Sequence, residues 1–285
     1  MKTHIRQHVI GIGAQKAASS WVHDLLRLHP DVAAGREKEL DFFSYRHDRG
    51  HRWYRAQFPG PGLAFENSPS YLTDPRAPGR ARAFDPDMRI VVTLRDPVDR
   101  AFSQHLHEIA KGHIPAMPFA QAVRDNPDYV EQGRYARHLT GWFDAFPASR
   151  ILVLFAEEIG DDPVGQAEIL YKFLGLPPAQ VLMERRNVSD RARRPALRHA
   201  LRIGGDALRR AGAEPMLLRL KALPPVARFL DWNSVDLRAS IPPLTLAERT
   251  ALRAEFESDT QALLALLDRT ALPWHPADQA LQASA

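Results

Sequence analysis

The sequence has no cysteine among its 285 residues, which excludes structural disulfides and cysteine-ligated metal sites. It also has no apolar run approaching the roughly 20 residues that a membrane-spanning helix needs. The apolar run near the N-terminus, at residues 8–12, is too short for the hydrophobic region of a signal peptide. From these absences we expect a cytoplasmic protein without a transmembrane segment.

An excess of charge of one sign is also missing, because 38 Lys+Arg against 34 Asp+Glu leave a net charge of only +4. Such a balance permits an anionic ligand but gives no reason to expect nucleic acid as a partner. A chain of 285 residues with 45% hydrophobic residues can bury a substantial core. We predict a single domain over residues 1–285, and the sequence leaves its oligomeric state open.

The most informative stretch is residues 11–21, GIGAQKAASSW, between the apolar residues Val9 and Ile10 and an amphipathic helical pattern. A strand, a loop of small residues and a helix in this order direct backbone N–H groups toward one point, where Lys16 adds a positive charge. Such an arrangement suits a phosphate or sulfate group. An ordinary strand-to-helix turn with a solvated lysine is the alternative, and this stretch alone does not decide between them.

Two well-known phosphate-binding motifs do not fit this loop. A Walker A motif needs a glycine directly before the lysine, where Gln15 stands. A dinucleotide fingerprint needs a third glycine where Ala14 or Lys16 stands. A P-loop-like small-molecule kinase shares the strand, loop and helix and therefore stays an alternative function, although the missing glycine counts against it.

Further strands and helices follow from the hydrophobic pattern. Continuous apolar runs predict buried strands at residues 63–66, 89–94 and 151–155. Helical periodicity predicts helices at residues 98–110, 133–146, 163–174 and 244–267. Residues 113–128 contain three prolines and are interpreted as a looser segment. The pattern predicts an α/β protein with a parallel central sheet flanked by helices and a P-loop-like phosphate-binding strand–loop–helix.

A basic helical insertion is predicted at about residues 190–240. Between residues 191 and 228, ten Arg or Lys residues face only Asp206 and Glu214, and leucines recur between the charges. A pair of basic amphipathic helices is the expected structure. Such helices could form a lid, a surface for acidic substrates, a membrane-surface patch or a solvated appendage. A non-enzymatic binder of polyanions or membrane surfaces is therefore a further alternative.

Two segments outside the loop carry candidate chemistry. Residues 38–43, KELDFF, indicate either a carboxylate, Glu39, on the rim of an apolar pocket, or a surface helix with its aromatic residues packed inward. Residues 67–71, NSPSY, follow the predicted strand that ends at Glu66. Polar residues at a strand end are the usual lining of a ligand crevice in an α/β sheet.

Five motifs in this order resemble the sulfotransferases that use 3′-phosphoadenosine 5′-phosphosulfate (PAPS), in particular the carbohydrate and heparan-sulfate type and its bacterial relatives. The matching motifs are QKAASS at 15–20, KELDFF at 38–43, ENSPSY at 66–71, LRDPVDRAFS at 94–103, and Gly133 with Tyr135. The resemblance covers about residues 8–176 and resumes in the last helix with Trp274. Each motif is weak alone, but five in the same order are specific.

The resemblance implies transfer of a sulfuryl group from PAPS to a hydroxyl or amine of a carbohydrate or small molecule. The product would be adenosine 3′,5′-bisphosphate (PAP), with no metal required. Catalytic roles are implied for Lys16, Glu39 and His107, with Glu39 and His107 as alternative bases. Donor-binding roles are implied for Gln15, Lys16, Ala17, Ala18, Ser19, Ser20, Trp21, Arg95, Ser103, Arg191 and Arg193. Contacts with the acceptor are implied for Lys38, Phe42, Ser68 and Tyr71.

The sequence departs from the family pattern at two points. Several heparan-type members have a lysine where Asn67 stands, so one catalytic cation is expected to be missing. The loop at Ala17 and Ala18 is smaller and less hydroxylated than the common Gly-Thr-Thr version. Sugar, lipid, polyketide, peptide and phenol acceptors all stay open at this stage.

Overall fold

A computed structural model describes residues 7–179, 190–192, 234–236 and 241–274. The chain divides into two compact units. Of the described residues, the first unit contains 7–102, 126–179 and 245–274, and the second contains 103–125, 190–192, 234–236 and 241–244. Most of the predicted basic insertion lies outside the described residues.

The first unit is built on a five-stranded, fully parallel sheet. Its strands are β1 (His8–Gly11), β2 (Val32–Ala34), β3 (Leu63–Asn67), β4 (Arg89–Leu94) and β5 (Ile151–Phe155). Their order across the sheet is β2-β3-β1-β4-β5, so β1 lies between β3 and β4. β2 and β3 lie on one side of β1, and β4 and β5 lie on the other, so the strand order reverses at β1. Open α/β sheets bind ligands at such a switch point, which is where the loop after β1 begins. The predicted parallel sheet is confirmed.

Helices connect these strands and also follow the last one. They are α1 (Ser19–Arg27), α2 (Gly50–Arg55), α3 (Ser70–Thr73), α4 (Ala77–Phe84), α5 (Pro97–Lys111), α6 (Phe119–Asp125), α7 (Asp128–Glu131), α8 (Tyr135–Ala145), α9 (Ala156–Asp161), α10 (Pro163–Leu174) and α11 (Leu246–Leu266). In the second unit, β6 (Asp190–Ala192) pairs antiparallel with β7 (Ser234–Asp236). None of the helices that the structure describes is long and apolar enough to cross a bilayer.

Alternating side chains of the sheet enter two separate cores. Ile10 and Ile90 belong to one core, which α2, α3, α4 and α8 cover. Val9 and Val91 belong to the other core, which α1 and α10 cover. Burial on both faces explains why the strands appear in the sequence as continuous apolar runs instead of alternating ones.

The last helix, α11, is joined to the ends of two other elements. Arg253 Nη2 lies 2.9 Å from Oδ2 of Asp96, the second residue after β4. The carboxylate of Asp259 accepts hydrogen bonds of 3.0 Å from the backbone N–H groups of Ala136 and Arg137, at the start of α8. A carboxylate at this place satisfies N–H groups that have no partner within the helix and complements the helix dipole.

The prediction of a loose segment at residues 113–128 was wrong in part, because α6 lies within it and α7 begins there. Pro118 immediately precedes α6, and Pro127 is the N-cap of α7. Proline is well tolerated at a helix start, where its missing N–H would have no helical partner. The prolines therefore mark helix starts as well as breaks.

Candidate active site

The loop between β1 and α1 presents the start of a helix without a side-chain cap. Ala18, the N-cap of α1, has a left-handed backbone conformation, with φ 64°, and Lys16 has φ 66°. The first turn of α1 contains no acidic residue. The N-terminal N–H groups and the positive end of the helix dipole can therefore serve an anionic group.

Residues of this loop differ in exposure. Gln15 is exposed, Lys16 and Ser20 are partly buried, and Ala17 and Ser19 are buried. Trp21 is partly buried in the first turn of α1, and its N–H donates to the Ala18 carbonyl over 2.9 Å. The loop therefore exposes Gln15 and part of Lys16 and Ser20, whereas Ala17 and Ser19 are packed inward.

Asn67, at the end of β3, fixes the start of α1. Its Nδ2 donates to the Ser19 carbonyl over 2.5 Å, and the side chain is fully buried. A Cβ atom added to Gly11 would lie 2.6 Å from Asn67 Oδ1, so glycine is needed where β1 passes this side chain. Asn67 therefore has a structural contact with the start of α1.

A second cation reaches the loop from a different segment. Lys38 Nζ donates to Ser20 Oγ over 2.8 Å and lies 3.7 Å from Glu39 Oε1. The Glu39 side chain is 50% exposed, so its carboxylate does not lie in an apolar environment. In the structure Lys38 contacts the loop and the neighbouring carboxylate, and its predicted contact with the acceptor stays a prediction.

A cavity of about 250 Å³ opens beside the loop, within the first unit. Its lining residues are Ala14, Gln15, Glu39, Asp41, Tyr45, Pro69, Ser70, Leu72, Thr73 and Gln132. The cavity brings the loop residue Gln15 and the predicted base Glu39 together. Asp41, Tyr45 and Ser70 were not predicted as site residues.

Below this cavity lies a buried carboxyl group, Glu66. Its Oε1 accepts from the Tyr71 hydroxyl over 2.5 Å and from the Tyr54 hydroxyl over 3.3 Å. Its Oε2 accepts from Ser68 Oγ over 2.7 Å. Burial raises the pKa of Glu66 to about 7, against the lowering effect of these hydrogen bonds. The sequence contained this residue in the ENSPSY motif, but its burial could not be read from the motif.

The same hydroxyl groups hold the backbone that follows Glu39. The Phe42 N–H donates to the Tyr71 hydroxyl over 2.7 Å, and the Asp41 N–H donates to Ser68 Oγ over 2.9 Å. Phe42, Ser68 and Tyr71 are each 0% exposed. The structure thus differs from the predicted acceptor contacts of these three side chains, because they meet Glu66 and the core instead of solvent.

Arg95 directly follows β4, and its backbone carbonyl accepts from the Tyr135 hydroxyl over 2.8 Å. Asp96 then caps α5, since its Oδ1 accepts from the N–H groups of Val98 and Asp99 over 2.8 and 3.3 Å. These hydrogen bonds fix the backbone at Arg95, where the strand changes sharply into the helix. The predicted basic residue stands at the carboxyl end of a strand, next to the strand that leads into the loop.

The other predicted site residues lie in the second unit or outside the described residues. Ser103 and His107 lie one turn apart on α5, with Ser103 buried and His107 partly buried. Arg191 lies in β6. Arg193 lies outside the described residues.

Comparison with known proteins agrees with this geometry. The family model "Sulfotransferase domain" matches residues 6–194. Heparan sulfate glucosamine 3-O-sulfotransferase 6 of Mus musculus is 33% identical over 177 residues, covering 58% of this chain and 51% of that protein. The bifunctional heparan sulfate N-deacetylase/N-sulfotransferase 2 of Bos taurus is 29% identical over 191 residues, covering 59% of this chain and 22% of that protein.

Among solved structures, a sulfotransferase from Alicyclobacillus acidocaldarius superposes with a TM-score of 0.57 at 25% identity, covering 76% of this chain and 95% of that one. The chain spans about half the length of the 3-O-sulfotransferase that it matches. The family match, by contrast, covers well over half of this chain and includes the loop, Glu39 and Arg95. The chain therefore belongs to the sulfotransferase domain family.

Proposed function

We propose that the protein transfers a sulfuryl group from PAPS to a hydroxyl or amine of a carbohydrate or small-molecule acceptor. The observation that carries this proposal is the cavity that joins Gln15 of the loop to Glu39. It supplies a place where an acceptor could lie between a phosphate-binding loop and a carboxylate. The match to heparan sulfate sulfotransferases supports the carbohydrate class.

The residues of the loop fit the donor. PAPS, when bound, supplies an activated sulfuryl group on a 5′-phosphate and a second phosphate at the 3′ position. The uncapped start of α1, with Lys16 and Ser20, suits the 5′-phosphosulfate side. Lys38 adds a second positive charge at Ser20, which offsets the lysine missing at Asn67. Arg95, at the carboxyl end of β4, is the proposed contact of the 3′-phosphate within the first unit, and the roles of Ser103, Arg191 and Arg193 stay predictions from the sequence resemblance.

The acceptor must lose a proton as its oxygen or nitrogen bonds to sulfur, with entering and leaving groups roughly in line. Glu39 is the proposed base that takes this proton, and His107 is the alternative. Lys16 and the N–H groups of the loop stabilise the negative charge that grows on the leaving 5′-phosphate. Lys38, between Ser20 and Glu39, keeps the base close to the loop. Glu66 supports the Glu39 segment from below through Ser68 and Tyr71.

Calorimetry with PAP in the presence of a chelator tests donor binding directly. We expect binding by the wild-type protein, and a roughly ten- to hundredfold loss of affinity in Lys16→Ala, since a charge-assisted hydrogen bond contributes about 1.5–3 kcal/mol. Lys172→Ala, an exposed lysine on α10, is the matched control and should bind normally. In a parallel titration without chelator, binding of ATP with Mg²⁺ by a protein that does not bind PAP would replace this proposal with the kinase alternative.

Incubation with PAPS and cell extract, followed by mass spectrometry, tests the transfer itself. A product heavier by one sulfuryl group is expected, and Lys16→Ala should reduce its amount. A protein that binds PAP but behaves only as a polyanion binder would show no such product and a steep loss of polyanion binding with salt.

A further inference from the structure

We propose, on the basis of the function proposed above, that the acceptor is a neutral or amine-bearing molecule with a flat apolar face, selected by Asp41 and Tyr45. The cavity is the one assigned above to the acceptor, and the charge class of the molecule that it holds is what is added. It rests on the charges that line the cavity, on the fixed carboxylate of Asp41 and on the exposed ring of Tyr45.

The lining of the cavity carries negative charge only. Glu39 and Asp41 are its two charged members, and no Lys, Arg or His is among the lining residues that the structure describes. The Lys38 ammonium, which is not part of the lining, is hydrogen-bonded to Ser20 and lies 3.7 Å from Glu39 Oε1, so it offsets part of the Glu39 charge and leaves Asp41 as the uncompensated carboxylate. A carboxylate or sulfate on the acceptor would meet the charge of Asp41 and the partly offset charge of Glu39, which weakens its binding, whereas a hydroxyl or an ammonium would not be repelled.

Two nearby arginines are also engaged elsewhere. Arg80 Nη1 donates to the backbone carbonyls of Phe43 and Ser44 over 2.9 and 2.8 Å. Arg46 Nη1 donates to Glu37 Oε2 over 3.1 Å. Arg46 is thus paired with a carboxylate outside the lining, and Arg80 is held by backbone carbonyls, so neither guanidinium forms an ion pair with Glu39 or Asp41 among the described residues.

Asp41 is held in one position by the segment below it. Its backbone has φ 50°, and its N–H is hydrogen-bonded to Ser68. Its Oδ1 accepts from Ser70 Oγ over 2.6 Å, and that hydroxyl lies 2.8 Å from Ser44 Oγ. Its Oδ2 receives no hydrogen bond from any residue within the described ranges. This oxygen can accept from a hydroxyl or amine of the acceptor, and a fixed acceptor atom of this kind discriminates against groups that cannot donate.

Tyr45 supplies the second element of recognition. Its side chain is a large ring, the residue is 73% exposed, and it lines the same cavity. Pro69 and Leu72 add apolar surface to the lining. An exposed aromatic face at a cavity rim suits the apolar face of a sugar ring or an aromatic ring. The Tyr45 ring and the Asp41 carboxylate together suit an acceptor molecule that has one flat apolar face and hydrogen-bond donors at its edge.

The test separates the small molecules and oligosaccharides of a cell extract by ion exchange into anionic, neutral and cationic pools. Each pool is incubated with the wild-type protein and radiolabelled PAPS. We expect transfer to the neutral or cationic pool to exceed transfer to the anionic pool by roughly tenfold or more. Three defined acceptors extend the test: a hyaluronan tetrasaccharide, the neutral N-acetylglucosamine tetramer and its deacetylated, amine-bearing form.

Variants then assign the selection to residues. Asp41→Asn suits the left-handed backbone and removes one charge, so transfer to anionic acceptors relative to neutral ones should rise roughly tenfold. Tyr45→Ala should raise the acceptor KM roughly three- to tenfold, while Tyr45→Phe, the matched control, should not. PAP affinity should stay at the wild-type value in all three variants, which also shows that they are folded.

The outcomes are distinct. Transfer mainly to the anionic pool overturns the inference and leaves the sulfotransferase function standing. An unchanged charge preference in Asp41→Asn overturns the role of that residue. A protein that binds PAP but sulfates no pool also overturns the acceptor assignment, whereas a protein that fails to bind PAP contradicts the proposed function itself.

Discussion

Replacing Glu66 with glutamine removes the buried carboxyl group beneath the cavity and keeps the size of the side chain. Glu66 is 1% exposed and accepts hydrogen bonds from Tyr54, Ser68 and Tyr71. Burial raises its pKa to about 7 from an ordinary value of 4.5. The folded protein therefore binds this proton more tightly than the unfolded chain does.

The sign of the effect on stability follows from this difference. Between pH 4.5 and about 7 the folded state carries more of this proton than the unfolded state, so the free energy of unfolding falls as the pH rises through that window. A full shift of this size corresponds to about 3 kcal/mol, of which about 2–3 kcal/mol falls between pH 5 and pH 8. Glutamine does not titrate, so its contribution to stability is the same across this range.

Urea unfolding of the wild-type protein and Glu66→Gln at pH 5, 6, 7 and 8 checks the prediction. We expect the wild type to lose about 2–3 kcal/mol relative to the variant from the lowest pH to the highest. Glu168→Gln, an exposed residue of α10, is the matched control and should follow the wild type. Parallel curves for the wild type and Glu66→Gln would refute the reasoning, because Glu66 would then not change its protonation on unfolding in this range.

Three further predictions concern other residues. Glu39→Gln should lower turnover by about 10²–10⁴ with unchanged PAP affinity, measured by initial rates and calorimetry; normal rates in this variant and in His107→Ala would mean that the acceptor reacts without a base. Lys38→Met keeps an unbranched side chain of similar length but removes the charge beside Ser20, and should weaken PAP binding roughly tenfold by calorimetry; unchanged affinity would remove Lys38 from the donor site. Asp259→Asn should lower the free energy of unfolding by about 0.5–2 kcal/mol in urea, because the start of α8 loses a charged cap, while PAP affinity stays constant; weaker PAP binding would show that α8 affects the loop.

The elements that the sequence predicted best are those whose burial leaves a simple pattern. β4 and α10 have the predicted bounds because one is buried on both faces and the other is bounded by Pro163 and Gly175. β2 was missed because three residues are too few to show a period. α4 was missed because Pro78 and Gly79 stand in its first turn and argue against a helix when packing is unknown.

In the candidate site, too, the local part could be predicted from the sequence and the part that depends on distant residues could not. The loop around Lys16 could be predicted because a strand, a small-residue loop and a helix are adjacent in the chain, and their geometry is local. The role of Asp41 could not, because its hydrogen bonds come from Ser68 and Ser70, which are more than 25 residues away. The pKa of Glu66 likewise depends on burial by several elements, which no spacing in the sequence expresses.

The segments KELDFF and ENSPSY, which look independent in the sequence, form one structural unit. Tyr71 and Ser68 each donate to Glu66 and each accept from the backbone of residues 41–42. The position of Glu39 and Asp41 therefore depends on a carboxyl group that itself touches no part of the cavity. Since the same hydrogen bonds satisfy a buried polar group and place the acceptor side of the site, a substitution that leaves one of them unpaired should reduce stability and turnover together.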